Sequence, residues 1–393
     1  MTKLYFDVRD LFRAARLGWS LRRMWIAFCG LLAHYIVYAA CAYAGLAMSK
    51  GSSFASLWDR YGLFPEPTQT AIYWAGAIVA FFILLVTSCA ICRVTYQQLK
   101  GDVFYSSGEA WKYLKSCWQS VVLGPVTVLA LLVFFLACGA LIGVVGRYIP
   151  FIGEVGLAVA FVPIFFAALV ALFILFALLV SIIFAPAIVG TTKEDTLEVV
   201  IQSFSLLWSQ PWRLLLYLAG ILVAVKIGTF VLGCLSFYSL FLINAVTGLA
   251  MGQKLGAMMI VALQYVPDRL LAFFFTGGVL PYPDLLRHLP EVSPPAGALL
   301  WSGRILAVSL LFIVGIILSY VLSAFSAGTT LIYLILRKKK DDENLLERED
   351  EEETSAVEPP KQEKTAPPEE TGKQAEGGSQ KETGTGEPTA GQA

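Results

Sequence analysis

Gly156–Phe184 reads GLAVAFVPIFFAALVALFILFALLVSIIF, a run with no charged residue and a single hydroxyl side chain at Ser181. A helix rises 1.5 Å per residue, so about 20 apolar residues cross a hydrocarbon layer roughly 30 Å thick. This run is longer than that and must tilt or project beyond the bilayer. Five further stretches have the same character: 24–48, 71–92, 121–145, 213–235 and 306–336. The composition agrees. The chain is 57% hydrophobic and 15% charged, with a mean hydropathy of +0.69, whereas a soluble domain carries about a quarter charged residues. These features predict an all-α membrane protein with about six transmembrane helices, and they exclude a soluble globular core.

The formal net charge of zero hides an asymmetry. Beyond Lys340 there are 16 acidic and 5 basic residues, so the tail carries −11 and the rest of the chain +11. The segment 341–393 is rich in Glu, Pro, Gly, Thr and Lys and poor in aromatics. Such a composition cannot bury enough apolar surface to fold alone, and a disordered acidic tail is expected. Lys and Arg near the span ends concentrate on alternate connections, among them Arg22, Arg23, Arg93, Lys100, Lys112, Lys115, Lys193, Arg213 and Arg337–Lys340. The positive-inside rule then puts both termini in the cytoplasm, which an even number of spans allows. No cleavable signal peptide is expected. The expected location is the cytoplasmic (inner) membrane of a bacterium.

The stretch 236–303 is harder to read. It is apolar but interrupted at Gln253, Lys254, Pro267, Asp268 and Arg269, and Pro281, Pro283, Pro290, Pro294 and Pro295 mark an irregular connection. Isolated charges at mid-bilayer are costly. An extracytoplasmic loop with membrane-dipping helices is expected, or else two extra spans.

Three stretches share one design. VRDLFRAARLGWSLRR (8–23) places Val8, Leu11, Phe12, Ala15 and Trp19 at helical spacing, opposite Arg9, Arg13, Arg16 and Ser20. SSGEAWKYLKSCW begins at Ser106, where Ser106 and Glu109 form a capping box and Trp111, Leu114 and Trp118 a stripe. TTKEDTLEVVIQSFSLLWSQPW begins at Thr191. There Thr192 and Asp195 resemble a capping pair, and Leu197, Val200, Ile201, Phe204 and Trp208 form the stripe. Each stretch leads into a span. The expected unit is an amphipathic surface helix plus a transmembrane hairpin, in three pseudo-repeats. Trp19, Trp118 and Trp208 would sit at headgroup level. Segment 1–23 would be a cytoplasmic amphipathic helix whose Arg9, Arg13, Arg16, Arg22 and Arg23 attract anionic lipid headgroups, or simply obey the positive-inside rule.

The third stretch, FAPAIVGTTKEDTLEVVIQSFSLLWSQPWRLLLYL (184–218), resembles the bacterial six-helix membrane domain fused to some glycerophosphodiester phosphodiesterases, and related uncharacterised membrane families. The likeness lies in a span ending in Ala-Pro-Ala-Ile-Val, an amphipathic helix with a Ser-Phe core, a Trp and a new span. It implies a multi-pass membrane domain. No catalytic domain follows the sixth span, so the phosphodiesterase activity is not implied.

Chemistry-bearing motifs are sparse. There is no HExxH, no phosphate-cradling loop and no nucleophile elbow. Cys89 and Cys92 form a CxxC inside a span without the partner pair a zinc site needs. No cofactor, metal or nucleic acid is expected. Lys226 and His34 lie inside spans and are candidate functional residues, because ionisable groups at depth are costly. Gly139 with Gly143, and Gly248, Gly252 and Gly256, have the spacing that lets helices pack closely, within the chain or in a homo-oligomer. The expected function is a non-enzymatic protein that interacts with lipid or organises partners, including a protein partner through its acidic tail. The alternative is a transporter or permease subunit for an amphiphile or small solute, with Lys226 facing a cavity.

Overall fold

The computed structural model describes residues 5–51, 53–62, 64–65, 67–148, 151–264, 297–342 and 344–347. Among them there are helices and no strand. Two short helices, α1 (Val8–Leu11) and α2 (Arg13–Gly18), precede α3 (Leu21–Lys50). Then come α4 (Phe54–Tyr61), α5 (Ala71–Lys100), α6 (Ser107–Tyr148), α7 (Ile152–Val159), α8 (Phe161–Thr192) and α9 (Thr196–Ser209). The last three are α10 (Pro211–Met251), α11 (Gln253–Gln264) and α12 (Ala298–Asp341). Six of these, α3, α5, α6, α8, α10 and α12, are long and apolar enough to cross a membrane. The chain is a multi-pass membrane protein.

The breaks between helices have local causes. α5 ends at Gly101, whose φ of 118° reverses the chain while its N–H and that of Asp102 both return to the Gln97 carbonyl. A residue with a Cβ rarely adopts that conformation. Pro211 opens α10 in the first turn, and Pro163 lies in the first turn of α8, where a missing N–H loses no helical bond. Pro125 and Pro186 instead sit inside α6 and α8, and both are buried there. Each leaves a carbonyl that neighbouring helices must accommodate.

The central helices are α5 and α12. α5 packs on α3, α6, α8 and α12, while α12 also meets α2, α3, α8, α10 and α11. Along α12, Ser319, Ser323, Ser326, Thr330 and Tyr333 recur at spacings of four and three and are all buried. Ser323 Oγ donates to the Gly18 carbonyl at 3.1 Å, and Cys92 Sγ donates to the Ser326 carbonyl at 3.4 Å. Small and hydroxyl side chains on such a seam allow helices to approach closely, and only the buried Ser326 Oγ on it has no hydrogen-bond partner among the described residues. Gly30 faces Thr87, Gly190 faces Cys92 and Gly328 faces Ile221, each at a distance where an added Cβ would clash.

Several expectations are corrected. The fourth span starts at Phe161 and runs on to Thr192. The second entry helix is not separate, because Ser106–Trp118 continues without a break into the 42-residue α6. Its capping box is present: Glu109 N–H donates to Ser106 Oγ at 3.2 Å, and Ser106 N–H to Glu109 Oε2 at 2.6 Å. Thr192 and Asp195 do not form a cap, since Thr192 Oγ1 donates back to the Ile188 carbonyl and Asp195 caps nothing with its side chain. Residues 236–251 are no loop but the end of the 41-residue α10. The polar pair Gln253–Lys254 marks a bend at Gly252, after which α11 packs on α12. The proline-rich connection 265–296 lies outside the described residues, as does the tail from Arg348 onward.

Candidate functional site

The strongest polar grouping lies where the N-terminal helices, the end of α5 and the end of α12 converge, at the basic end of the bundle. α1 and α2 are held there by three features. Leu11, Ala14 and Gly18 form a buried stripe, with Gly18 against Ala324. Tyr320 Oη donates to the Ala15 carbonyl at 3.3 Å. Asp10 is fully buried, accepts the Phe6 N–H at 2.8 Å and pairs with Arg13 at 3.2 Å. The face that meets the protein is therefore Leu11/Ala14/Gly18. Phe12 and Trp19, expected on that stripe, point outward at 62% and 45% exposure.

The five candidate surface arginines separate. Arg9 and Arg16 are exposed and make no hydrogen bond or ion pair among the described residues. Arg13 is taken by Asp10 and lies over the Tyr5 ring. Arg22 is exposed, but its guanidinium donates to the carbonyls of Val103 at 2.8 Å and Tyr105 at 3.2 Å, which ties α3 to the connection before α6. Arg23 is only 2% exposed and bonds Thr95 Oγ1 at 3.2 Å and the Leu17 carbonyl. Neither Arg22 nor Arg23 belongs to a surface helix, since both lie in the first turn of α3. Arg23 cannot reach lipid, so its expected surface role is corrected to a structural one.

The same end contains residues that sequence reasoning passed over. Arg93 is buried over the Tyr113 ring at 4.3 Å and near Tyr96 at 5.7 Å. Cation–ring contacts of this kind gain strength when desolvated. Tyr113 Oη donates to the Val189 carbonyl at 2.5 Å, and Tyr96 Oη to the Leu345 carbonyl at 2.7 Å. Leu345 and Leu346 are 2% and 4% exposed and join the main core. The segment expected to be disordered from 341 thus begins with an ordered turn. Asn344 bonds both the Leu346 N–H and Glu347 within it. The signal in the sequence was two adjacent leucines in an otherwise charged run.

A cleft of about 440 Å³ opens beside this end, between α2, α10 and α12. Phe12, Arg16 and Trp19 form one wall, Ile227 and Val231 another, and Tyr320 the floor. Lys226 is half-buried on α10 and does not line it. His34 is half-buried on α3, with Nδ1 donating to the Ala80 carbonyl of α5 at 2.8 Å. That bond crosslinks two spans and accounts for the residue structurally.

The three candidate tryptophans are all exposed. Trp19 lies 5.4 Å from Tyr320, and Trp208 meets Phe173 edge-on at 5.7 Å. Around Trp208, α9 lies along the α6–α8 pair, with Val199 against Gly124. The side it buries is Val199, Gln202, Ser203 and Leu206, while Leu197, Ile201 and Trp208 remain uncovered. Among the described residues the candidate packing glycines meet little. Gly139, Gly143 and Gly256 have nothing within 4 Å, Gly248 only the tip of Leu255, and Gly252 forms the bend.

Among the described residues no three His, Cys, Asp or Glu side chains cluster as a metal site. The arrangement offers binding chemistry: cations, exposed aromatics and an apolar cleft. No family model, curated protein or solved structure matches the chain, and nothing there links it to the phosphodiesterase-associated membrane domain.

Proposed function

We propose that this is a non-catalytic protein of a bacterial cytoplasmic membrane that engages anionic lipid through its basic end, with both termini in the cytoplasm. One observation carries the reading. Arg9 and Arg16 are exposed and have no partner among the described residues, on a segment that also exposes Phe12, Trp19, Leu21 and Trp25. Aromatic residues favour the headgroup zone, and each cation near an anionic surface contributes about 1 kcal/mol. The family resemblance at 184–218 suits a membrane body of this kind, and the acidic tail supplies a surface for a basic protein partner. Lys226, the residue on which a transport reading would rest, does not line this cleft.

The test uses the full chain in detergent, supplemented with phosphatidylglycerol or phosphatidylcholine. Phosphatidylglycerol should raise the melting temperature more, and high salt should remove the difference. Equal shifts with the two lipids would overturn the reading. A fluorescent reporter fused at the C-terminus should light up in cells if that end is cytoplasmic.

A further inference from the structure

We propose that the cleft between α2, α10 and α12 is a specific site for one anionic phospholipid, with an acyl chain along Ile227 and Val231 and the headgroup phosphate at Arg16. This rests on the lipid-engaging reading above and gives it a location.

Three observations converge on that occupant. The first is level. On α12 the exposed apolar residues are Trp301, Ile305, Val308, Phe312 and Ile316, and no further exposed residue follows until Lys339. The stripe spans roughly 23 Å by helical rise, close to one hydrocarbon layer. It stops one turn short of Tyr320, the floor of the cleft. On α12 the cleft therefore lies at the edge of the uncovered, lipid-facing surface, and on α10 exposed apolar residues continue past it from Val223 to Trp212, so acyl chains can reach its mouth.

The second is chemistry. Among the described residues the only charged side chain lining the cleft is Arg16. The Tyr320 hydroxyl is already used on the Ala15 carbonyl. What remains is one uncommitted guanidinium above an apolar trough. A small soluble anion would leave the trough empty, and a peptide would find no backbone partners there. An amphiphile with a phosphate and a long apolar chain matches both parts, and guanidinium suits phosphate geometry.

The third is contrast. Of the five arginines of the N-terminal segment, Arg13, Arg22 and Arg23 are committed to protein partners. Arg9 is free of such partners too, but it does not line the cleft. Arg16 alone combines an uncommitted charge with the trough.

The experiment delipidates the full chain in detergent, adds phosphatidylglycerol or phosphatidylcholine, and counts bound lipid by native mass spectrometry. The wild type should retain one phosphatidylglycerol in preference to phosphatidylcholine. Arg16→Gln should weaken that retention about fivefold, the loss of one headgroup cation. Ile227→Trp, at a position exposed enough to tolerate the larger ring, should block the trough and abolish retention with Arg16 intact. Arg9→Gln should leave it unchanged. Equal losses for Arg9→Gln and Arg16→Gln would overturn the site while sparing the general surface reading. Retention by Ile227→Trp, or a free fatty acid held in place of phospholipid, would overturn the site as well. No preference for phosphatidylglycerol in the wild type would overturn both readings.

Discussion

The basic end and the far end of this bundle are built from the same kinds of residue and packed in opposite ways. From Leu331 to Leu336 every residue of α12 is buried. From Val133 to Tyr148 of α6, every residue except the half-buried Phe135 and Gly146 is exposed, and α8 is nearly as bare from Phe161 to Leu172. In water, such an exposed apolar surface would drive collapse or aggregation. In a bilayer it costs nothing, because acyl chains are as apolar as leucine. Cohesion within the chain therefore concentrates at the basic end, where hydroxyls, glycines and buried arginines interlock. At the far end α6 and α8 are left to the lipid, while α3 with α5 and α11 with α12 still pack closely, Gly76 against Cys41 and Gly303 against Val261.

The largest effect that would sharpen this contrast is overpacking at Gly190. A Cβ there would sit 2.8 Å from the Cys92 Cβ and 3.0 Å from the Cys89 carbonyl oxygen, and backbone cannot yield easily. Gly190→Val should cost about 3 kcal/mol, read as a sharp fall in melting temperature in native lipid particles. Leu346→Ala comes next, at about 2 kcal/mol for a buried leucine. Its signature is local: faster proteolysis near Asn344 with the spans intact. His34→Leu removes one interhelical hydrogen bond and should cost about 0.6 kcal/mol. A large loss there would mean that cohesion extends further along α3 than the packing indicates. The smallest effect belongs to the far end. Gly139→Leu and Gly143→Leu meet nothing within 4 Å and should leave the melting temperature of the monomer unchanged. A destabilisation comparable to that of Gly190→Val would break the comparison.

The same contrast explains what could be read in advance. The six spans were legible because length and hydropathy report the demand of the bilayer directly. Which side of each span meets protein was not, because hydropathy scores lipid and protein contact alike. Gly139 and Gly143 carry the spacing of a packing motif yet face open space among the described residues, whereas Gly190 and Gly328 carry no motif and sit at close approaches. The N-terminal arginines read as one basic face, but Arg23 follows the register of α3 into the core. Trp19 and Arg16 were expected at the interface from their spacing. Their cleft was not, since it needs α10 and α12, which lie some 200 and 300 residues along the chain. Leu345 and Leu346 were hidden by the composition of the tail around them, where two residues hardly change the average.

α12 contains 44 residues, and α6 contains 42. At helical rise they are about 66 and 63 Å long, well beyond the roughly 45 Å of a bilayer with its headgroups. Each is a rod longer than the bilayer is thick, so part of it stands clear of the membrane. A change of about 10° in the tilt of α12 would swing one end by about 11 Å relative to the other. Tilt responds to bilayer thickness. Lys338, Lys339 and Lys340, which sit on the protruding tip, would thus be carried sideways whenever the surrounding lipid thickens or thins. The rod would turn a property of the bilayer into the position of a charge.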